Sequence, residues 1–542
     1  MLGQMQEWPL LIHKVIDFAA RQHPGREVVS RLVEGPIHRT NYRELRLRSL
    51  KLAQKLAADG VKLGDRVATL AWNTHRHLET WYGITGMGAV YHTVNPRLFP
   101  EQIVWIMNHA EDRLCFVDLT FVPLLEAIAD KLPTVERFVV LTDAEHMPAT
   151  KLKKAAAYED WIAEVDGDFR WLEFDERTAA GLCYTSGTTG NPKGVLYSHR
   201  SNVLHSLIST GLEALPVAPS TSCMPVVPMF HANSWGLAFS CPMKGAKMVM
   251  PGAKLDGASI YELLETEKVD FSAAVPTVWL MLLSYLQKER KTLSTLKLVV
   301  IGGSACPPEM IRAFERDYGV EVRHAWGMTE MSPIGSVCYM KPVVAAETYE
   351  DVLKLKSKQG FAPFGVEMKI VDAENREMPW DGKTFGRLKV KGPAVAKAYF
   401  KGDGGDILDE DGFFDTGDVA TIDANGYMQI TDRAKDVIKS GGEWISSIDI
   451  ENFAVGHPDV AEAAVIGVHH QKWDERPLLV IVAKEGRHPT PADLFEYLKP
   501  KIAKWWMPDD VQLVAEIPHT ATGKINKLKL REAFKDYKLP GA

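Results

Sequence analysis

Cysteine is scarce in this chain, and the cysteines present stand apart. Cys115, Cys183, Cys223, Cys241, Cys306 and Cys338 are the six among 542 residues, and no two form a CxxC pair. Neither a zinc site nor a disulfide framework is expected, and a reducing compartment fits. Long apolar runs are also missing: none reaches the length needed to span a bilayer. The opening residues (Met1, Leu2, Gly3, Gln4, Met5) lack the basic segment and apolar stretch of a signal peptide. Cytoplasmic residence follows by default. Positive charge is not in excess, the formal net charge being -7, which argues against a non-specific nucleic-acid surface. No internal repeat or low-complexity tract appears.

What is there is an ordinary globular composition, 46% hydrophobic and 25% charged, in a chain too long for one core, so two or more domains are expected. Through roughly the first three hundred residues, β-branched apolar runs at 66–72, 114–118, 137–142 and 296–301 read as buried strands. Helical patterns lie between them. In 42–59, Leu45, Leu52 and Leu56 share a face, Asn41 and Glu44 can cap the start, and Gly60 stops it. Further helices are predicted at 257–268 and 307–317. The alternation argues for an α/β fold with largely parallel sheets. From about residue 360 the pattern changes. Asp381-Gly382, Asp411-Gly412 and Asn425-Gly426 are hairpin-like steps and predict a β-rich subdomain at about 360–433. Beyond 432–436 a new unit of about a hundred residues begins, with strands at 463–468 and 477–483 and a helix at 491–498. The expected architecture is an N-terminal domain of layered α/β sheets (1–433) and a small mobile α+β C-terminal domain (434–542).

The strongest chemical signal is Tyr184-Thr185-Ser186-Gly187-Thr188-Thr189-Gly190-Asn191-Pro192-Lys193-Gly194, which follows a strand-like run at 179–183. Its glycines let backbone N–H groups approach a polyphosphate. Its hydroxyls add donors and a Mg²⁺ ligand, and Lys193 adds positive charge. Gly194 follows Lys193 where a Walker A loop requires Ser or Thr, so this is a different phosphate loop. A loop of this composition resembles that of the adenylate-forming superfamily, which includes acyl-CoA synthetases, peptide-synthetase adenylation domains and beetle luciferases. The superfamily's later motifs follow in order along essentially the whole chain.

The resemblance implies a role for each motif. Thr185, Ser186, Gly187, Thr188, Thr189, Gly190 and Lys193 would cradle the phosphates of ATP. In Ala325-Trp326-Gly327-Met328-Thr329-Glu330, Thr329 would contact the α-phosphate, and Glu330, with Thr185, would bind Mg²⁺; a hard cation favours such oxygen ligands. Gly302, Gly303 and Ser304, at the carboxyl end of a strand, would lie beside the adenine and the acyl chain. Asp418, in Thr416-Gly417-Asp418, would take both ribose hydroxyls, although Phe413 stands where many members have Trp. Arg433 would reach the ribose, with Lys435 at the pivot of the hinge at 432–436. Lys439 and Trp444 would approach the nucleotide, and Ser440, Gly441, Gly442 and Glu443 would shape the coenzyme A tunnel. Lys524, in Thr522-Gly523-Lys524-Ile525, would bridge the acyl carboxylate and the α-phosphate. Lys527, Lys529 and Arg531 just beyond it read as a solvated helix face.

On the acyl side, Pro228-Met229-Phe230-His231-Ala232-Asn233-Ser234-Trp235 resembles the motif whose histidine borders the acid; His231 is grouped with Lys524, Thr185 and Glu330 as catalytic. Trp235 matches the gating tryptophan of the fatty-acyl branch. Gly302, Gly327 and Pro333 complete an apolar pocket with no cation for a second carboxylate, so a monocarboxylic acid is expected. The resemblance is strongest to medium-chain fatty-acyl-CoA ligases and to bacterial ligases for the thioether acid 3-(methylmercapto)propionate. It implies ATP, Mg²⁺ and coenzyme A as reactants and a homodimer. The competing readings are a medium- or long-chain fatty acid–CoA ligase, an adenylation enzyme serving a carrier protein and an inactive nucleotide-binding protein.

Overall fold

The computed structural model describes residues 1–185, 191–344, 348–441, 443–520 and 525–540, with the side chains of Glu443 and Trp444 excepted. Two large sheets dominate. The first has eight strands in the order Ile334–Val337, Glu321–Gly327, Leu298–Ile301, Phe271–Ala274, Ser222–Pro225, Lys247–Met250, Glu27–Arg31 and Ile37–Asn41. Its interior pairs are parallel and only its two edge pairs are antiparallel. The second has seven strands in the order Ala156–Ala157, Arg137–Val140, Leu114–Val117, Arg66–Leu70, Val90–Thr93, Ala179–Tyr184 and Gly194–Ser198.

Helices fill the space against these sheets, as β-strand crossovers require. Helix His75–Gly86 is buried along its whole length. Its Trp81 stacks on Tyr91 at 4.4 Å and touches Phe239 of helix Leu237–Lys244, so one apolar cluster joins strands of both sheets. Helix Tyr42–Ala58 starts where the sequence places it: the Asn41 side chain accepts from the Glu44 N–H at 3.0 Å, a cap that contributes about 1 kcal/mol. The predicted helix at 307–317 is α-helical only over Pro308–Arg312 and widens to a π-helical turn at Ala313–Asp317.

The glycine-dense region forms a four-stranded antiparallel sheet of Glu367–Val371, Gly386–Lys391, Phe414–Ile422 and Met428–Arg433. Of the three hairpin-like steps, Asn425-Gly426 joins adjacent strands directly, while the other two sit in longer connections. A further five-stranded sheet follows, built on Val460–His470 and Asp474–Ala483. All six cysteines are buried and free. No helix among the described residues is long and apolar enough to cross a membrane.

Candidate active site

A cleft of about 1230 Å³ opens where strand ends of both large sheets meet the four-stranded sheet and the last unit of the chain. Such a crevice at the carboxyl ends of strands is where α/β folds bind ligands. It brings together Thr185, Lys193, His231, Trp235, Gly302, Gly303, Ser304, Ala325, Trp326, Gly327, Met328, Thr329, Glu330, Pro333, Asp418, Arg433 and Lys435.

The phosphate loop hangs from the hairpin of strands Ala179–Tyr184 and Gly194–Ser198. Its base is closed by two bonds: the Thr185 N–H donates to the Lys193 carbonyl at 2.9 Å, and the Lys193 N–H donates to Thr185 Oγ1 at 3.2 Å. Ser186, Gly187, Thr188, Thr189 and Gly190 lie outside the described residues. Lys193 Nζ sits 5.0 Å over the Tyr399 ring. The Tyr399 hydroxyl donates to Glu330 Oε1 at 2.7 Å. Burial, and then the Glu330 charge, raise the Tyr399 pKa well above its usual value, so Tyr399 stays a donor. The Tyr197 hydroxyl fixes the Thr329 carbonyl at 2.7 Å. Neither tyrosine belongs to a motif that sequence reading singles out.

Asp418 is held from two sides. The Trp326 indole N–H donates to Oδ2 and the Arg433 Nε–H group pairs with Oδ1, each at 2.9 Å. The carboxylate is buried, whereas Arg433 is nearly half exposed. Burial lowers the Lys435 pKa below its usual range, with Asp436 opposing.

Two glycines are required by close approach. A Cβ on Gly302 would lie 2.9 Å from the Ala325 carbonyl and 3.1 Å from the Trp235 ring; one on Gly327 would lie 2.0 Å from the Pro333 carbonyl. The Pro333 side of the pocket is fixed from behind. Buried His205 accepts the Ile334 N–H on Nε2 at 3.1 Å, and burial pushes its pKa down to about 3, so the ring is neutral.

Trp235 is buried in the cleft wall on an unusual backbone. Ala232, Asn233, Ser234, Trp235 and Gly236 all have φ between 43° and 81°. For L-residues this region costs about 1–2 kcal/mol each. Side-chain bonds hold the turn: the Ser234 hydroxyl donates to the Val227 carbonyl at 2.9 Å and the Asn233 amide to Asn202 Oδ1 at 3.3 Å. Phe230, Pro276, Leu280, Leu283 and Met310 add apolar lining.

Several expected residues are placed differently. Lys439, Ser440 and Gly441 do not line the cleft in this arrangement. Their hairpin is paired onto strand Asp474–Ala483, Arg476 donates to the Ser440 hydroxyl at 3.2 Å, and Gly441 packs on Trp473. Trp444 pairs through its backbone across from Lys439. The side chain of Glu443 and the whole of Gly442 lie outside the described residues. So does Lys524, although His519, Thr520, Ile525 and Asn526 on either side of its segment line the cleft. The solvated-face reading of 527–531 is wrong for Lys527: its side chain is only 10% exposed and pairs with Glu451 at 2.8 Å. Arg531 pairs with Asp436 at 2.6 Å.

Glu330 and Thr185 both line the cleft, and their carboxylate and hydroxyl are hard oxygen donors suited to Mg²⁺, whose shell phosphate oxygens and water would complete. The donor set fits the ion.

Residues 16–400 match the AMP-binding enzyme family, and residues 449–524 match the AMP-binding enzyme C-terminal domain. The chain belongs to this family. It is an AMP-forming acyl-CoA synthetase, working with ATP, Mg²⁺ and coenzyme A. It is 50% identical over 536 residues to the 3-methylmercaptopropionyl-CoA ligase of Ruegeria lacuscaerulensis, covering 99% of both chains. It is 47% identical to the medium-chain-fatty-acid–CoA ligase of Ectopseudomonas oleovorans, covering 99% of this chain and 98% of that one. Among solved structures it resembles the anthranilate CoA ligase AuaEII in complex with anthranoyl-AMP, with a TM-score of 0.85, 25% identity and coverage of 96% and 97%.

Proposed function

We propose that this enzyme activates 3-(methylmercapto)propionate, first as the acyl-adenylate and then as the CoA thioester. The observation that carries the choice of acid is the 50% identity, across 99% of both chains, to a ligase of that name. The apolar wall of Phe230, Trp235, Pro276 and Leu283 is compatible with a short thioether tail. A medium-chain fatty acid is the second reading, favoured by the 47% identity to a ligase of that class.

Adenylation joins two anions, so their repulsion must be offset before they meet. In this proposal Lys193 and the backbone N–H groups of 186–190 spread the phosphate charge. Glu330 and Thr185 hold Mg²⁺, which neutralises phosphate charge when bound. Asp418 fixes the ribose, with Trp326 and Arg433 orienting its carboxylate. His231 and Trp235 border the acid. Lys524 places the acyl carboxylate in line with the α-phosphate, a positioning effect. The acid is its own nucleophile: its carboxylate oxygen attacks the α-phosphorus and pyrophosphate leaves, and the CoA thiol then attacks the acyl carbon of the adenylate, losing its proton as AMP leaves.

Lys524 cannot remain where the thiol must arrive, so 434–542 turns about Lys435 between the steps, bringing 439–444 to the cleft. The boundary is supported by the end of the four-stranded sheet at Arg433 and the start of the next strand at Ile438. Lys524→Ala should abolish ATP–pyrophosphate exchange yet still turn supplied acyl-adenylate into thioester; equal loss of both would refute the two-step division. The reading extends to cytoplasmic residence and to a homodimer; the exposed Leu2, Met5 and Trp8 offer apolar surface for the latter, which sedimentation tests.

The acid is tested by kcat/KM across 3-(methylmercapto)propionate, pentanoate, octanoate and decanoate. Sulfur replaces one methylene of pentanoate, so these two should differ by no more than about 10–200-fold. Octanoate should be the poorer substrate, and a preference for it would replace this reading with the second.

A further inference from the structure

The segment that follows the Lys524 loop is fastened to the hinge by buried polar groups that no step above uses. The loop closes at its base: His519 and Ile525 form an antiparallel bridge, and the Asn526 N–H donates to the Pro518 carbonyl at 2.7 Å. One end is tied down where His519 Nε2 meets Glu462 Oε1 at 2.5 Å. At the other end, Lys527 Nζ pairs with Glu451 Oε1 at 2.8 Å and also donates to the Ser447 hydroxyl. That hydroxyl donates in turn to Asp432 Oδ2 at 2.5 Å, and the Ser447 N–H donates to the same oxygen at 2.9 Å. Glu451 is itself fixed by the Val465 N–H at 2.7 Å.

Asp432 is buried, next to Arg433 at the end of strand Met428–Arg433. Ser447 and Glu451 belong to helix Ser447–Val455. The chain between Asp432 and Ser447 passes through Lys435. The Ser447–Asp432 contact therefore spans the pivot, and in this inference the turn about Lys435 parts it. Burial, with Glu451 and Asp432 opposing it, leaves the Lys527 pKa above its usual value, so its charge is retained within the network.

We propose that Lys527 is a positioning residue for adenylation: clamped to Glu451 and, through the Ser447 hydroxyl, to Asp432, it sets the base of the Lys524 loop against the strand that carries Arg433. It touches neither acid nor nucleotide in this role. It makes the adenylating arrangement one in which the loop and the ribose-side residues share a rigid frame. The inference rests on the two-step reading above, since only a turning unit gives a contact across the pivot a state-specific effect.

The test measures the two half-reactions of the full chain in Lys527→Met, Lys527→Arg and Ser447→Ala, with Lys524→Ala alongside. ATP–pyrophosphate exchange reports adenylation, and thioester formation from synthetic acyl-adenylate reports the second step. Lys527→Met should lose about ten- to a hundredfold in exchange, the scale of a misplaced catalytic group. Its thioester step should stay within about twofold of the parent. Lys527→Arg should recover most of the exchange, and Ser447→Ala should fall between the two. If Lys527→Met proves unstable, the same split in Ser447→Ala carries the test. Equal loss in both half-reactions, or no loss in either, overturns the proposal. Should Lys524→Ala fail to separate the half-reactions, the two-step division falls and this inference with it. Should it separate them while the Lys527 and Ser447 variants do not, only this inference falls.

Discussion

Tyr399→Phe removes one hydroxyl and little else. The phenyl ring stays beneath Lys193, whose ammonium lies 5.0 Å from its centroid, so the cation–π contact survives. What is lost is the 2.7 Å donation to Glu330 Oε1. Hydrogen bonds to charged groups contribute about 1.5–3 kcal/mol, and a carboxylate without this partner no longer has its orientation fixed. A group that orients a metal ligand typically costs about 10–100-fold in metal affinity when removed. ATP–pyrophosphate exchange measured against Mg²⁺ concentration should show the half-saturating concentration rising by about that factor. Saturating Mg²⁺ should recover most of the rate, and the effects of Tyr399→Phe and Glu330→Gln should be non-additive. An unchanged Mg²⁺ dependence with a lowered maximum rate would refute the reasoning, because Tyr399 would then act on a substrate and not through Glu330.

The remaining predictions concern the acyl pocket and its support. Gly302→Ala puts a methyl 2.9 Å from the Ala325 carbonyl and 3.1 Å from Trp235; overpacking of this kind costs about 1–3 kcal/mol, and KM for the acid should rise, an unchanged value counting against the placement of Trp235. For His205, the folded pKa of about 3 lies below the ordinary 6.5, so the unfolded chain takes up a proton that the native ring refuses. Its stabilising contribution is complete above pH 6.5 and is lost as the pH falls toward 3, at about 1.4 kcal/mol per pH unit. The stability gap between wild type and His205→Gln, from denaturant unfolding, should shrink across that window; a gap independent of pH would mean the ring is not held neutral.

Much of this was legible in the chain before any coordinates. Strands at 66–70, 114–117 and 137–140 appear where β-branched runs predict them, because strands buried on both faces leave an uninterrupted apolar signal. Asp418 and Arg433 stand in short motifs and meet across two adjacent strands. Other features leave no local trace. Tyr399 and Glu330 are 69 residues apart in sequence, and nothing around either one names the other. Lys527 sits among Lys529 and Arg531, where charge density reads as solvent exposure, yet its partner Glu451 arrives from a distant helix. The left-handed turn at 232–236 is hidden for a different reason. Three of its five residues, Ala232, Ser234 and Trp235, carry side chains that disfavour positive φ, so tertiary bonds such as Ser234 to Val227 are needed to make it the preferred backbone.

The six buried thiols acquire a meaning from the chemistry. An enzyme that makes acyl-adenylates keeps a potent acylating agent within its own walls, and any accessible thiolate would compete with the intended acceptor. Cys183 lies beside Tyr184 at the end of the phosphate-loop strand, but burial raises its pKa and keeps it a thiol. Burial likewise raises the pKa of Cys115, Cys223 and Cys306, and pushes that of Cys338 to about 12. The thiolate is the reactive form, so burial makes these five side chains poor competitors for the acyl group.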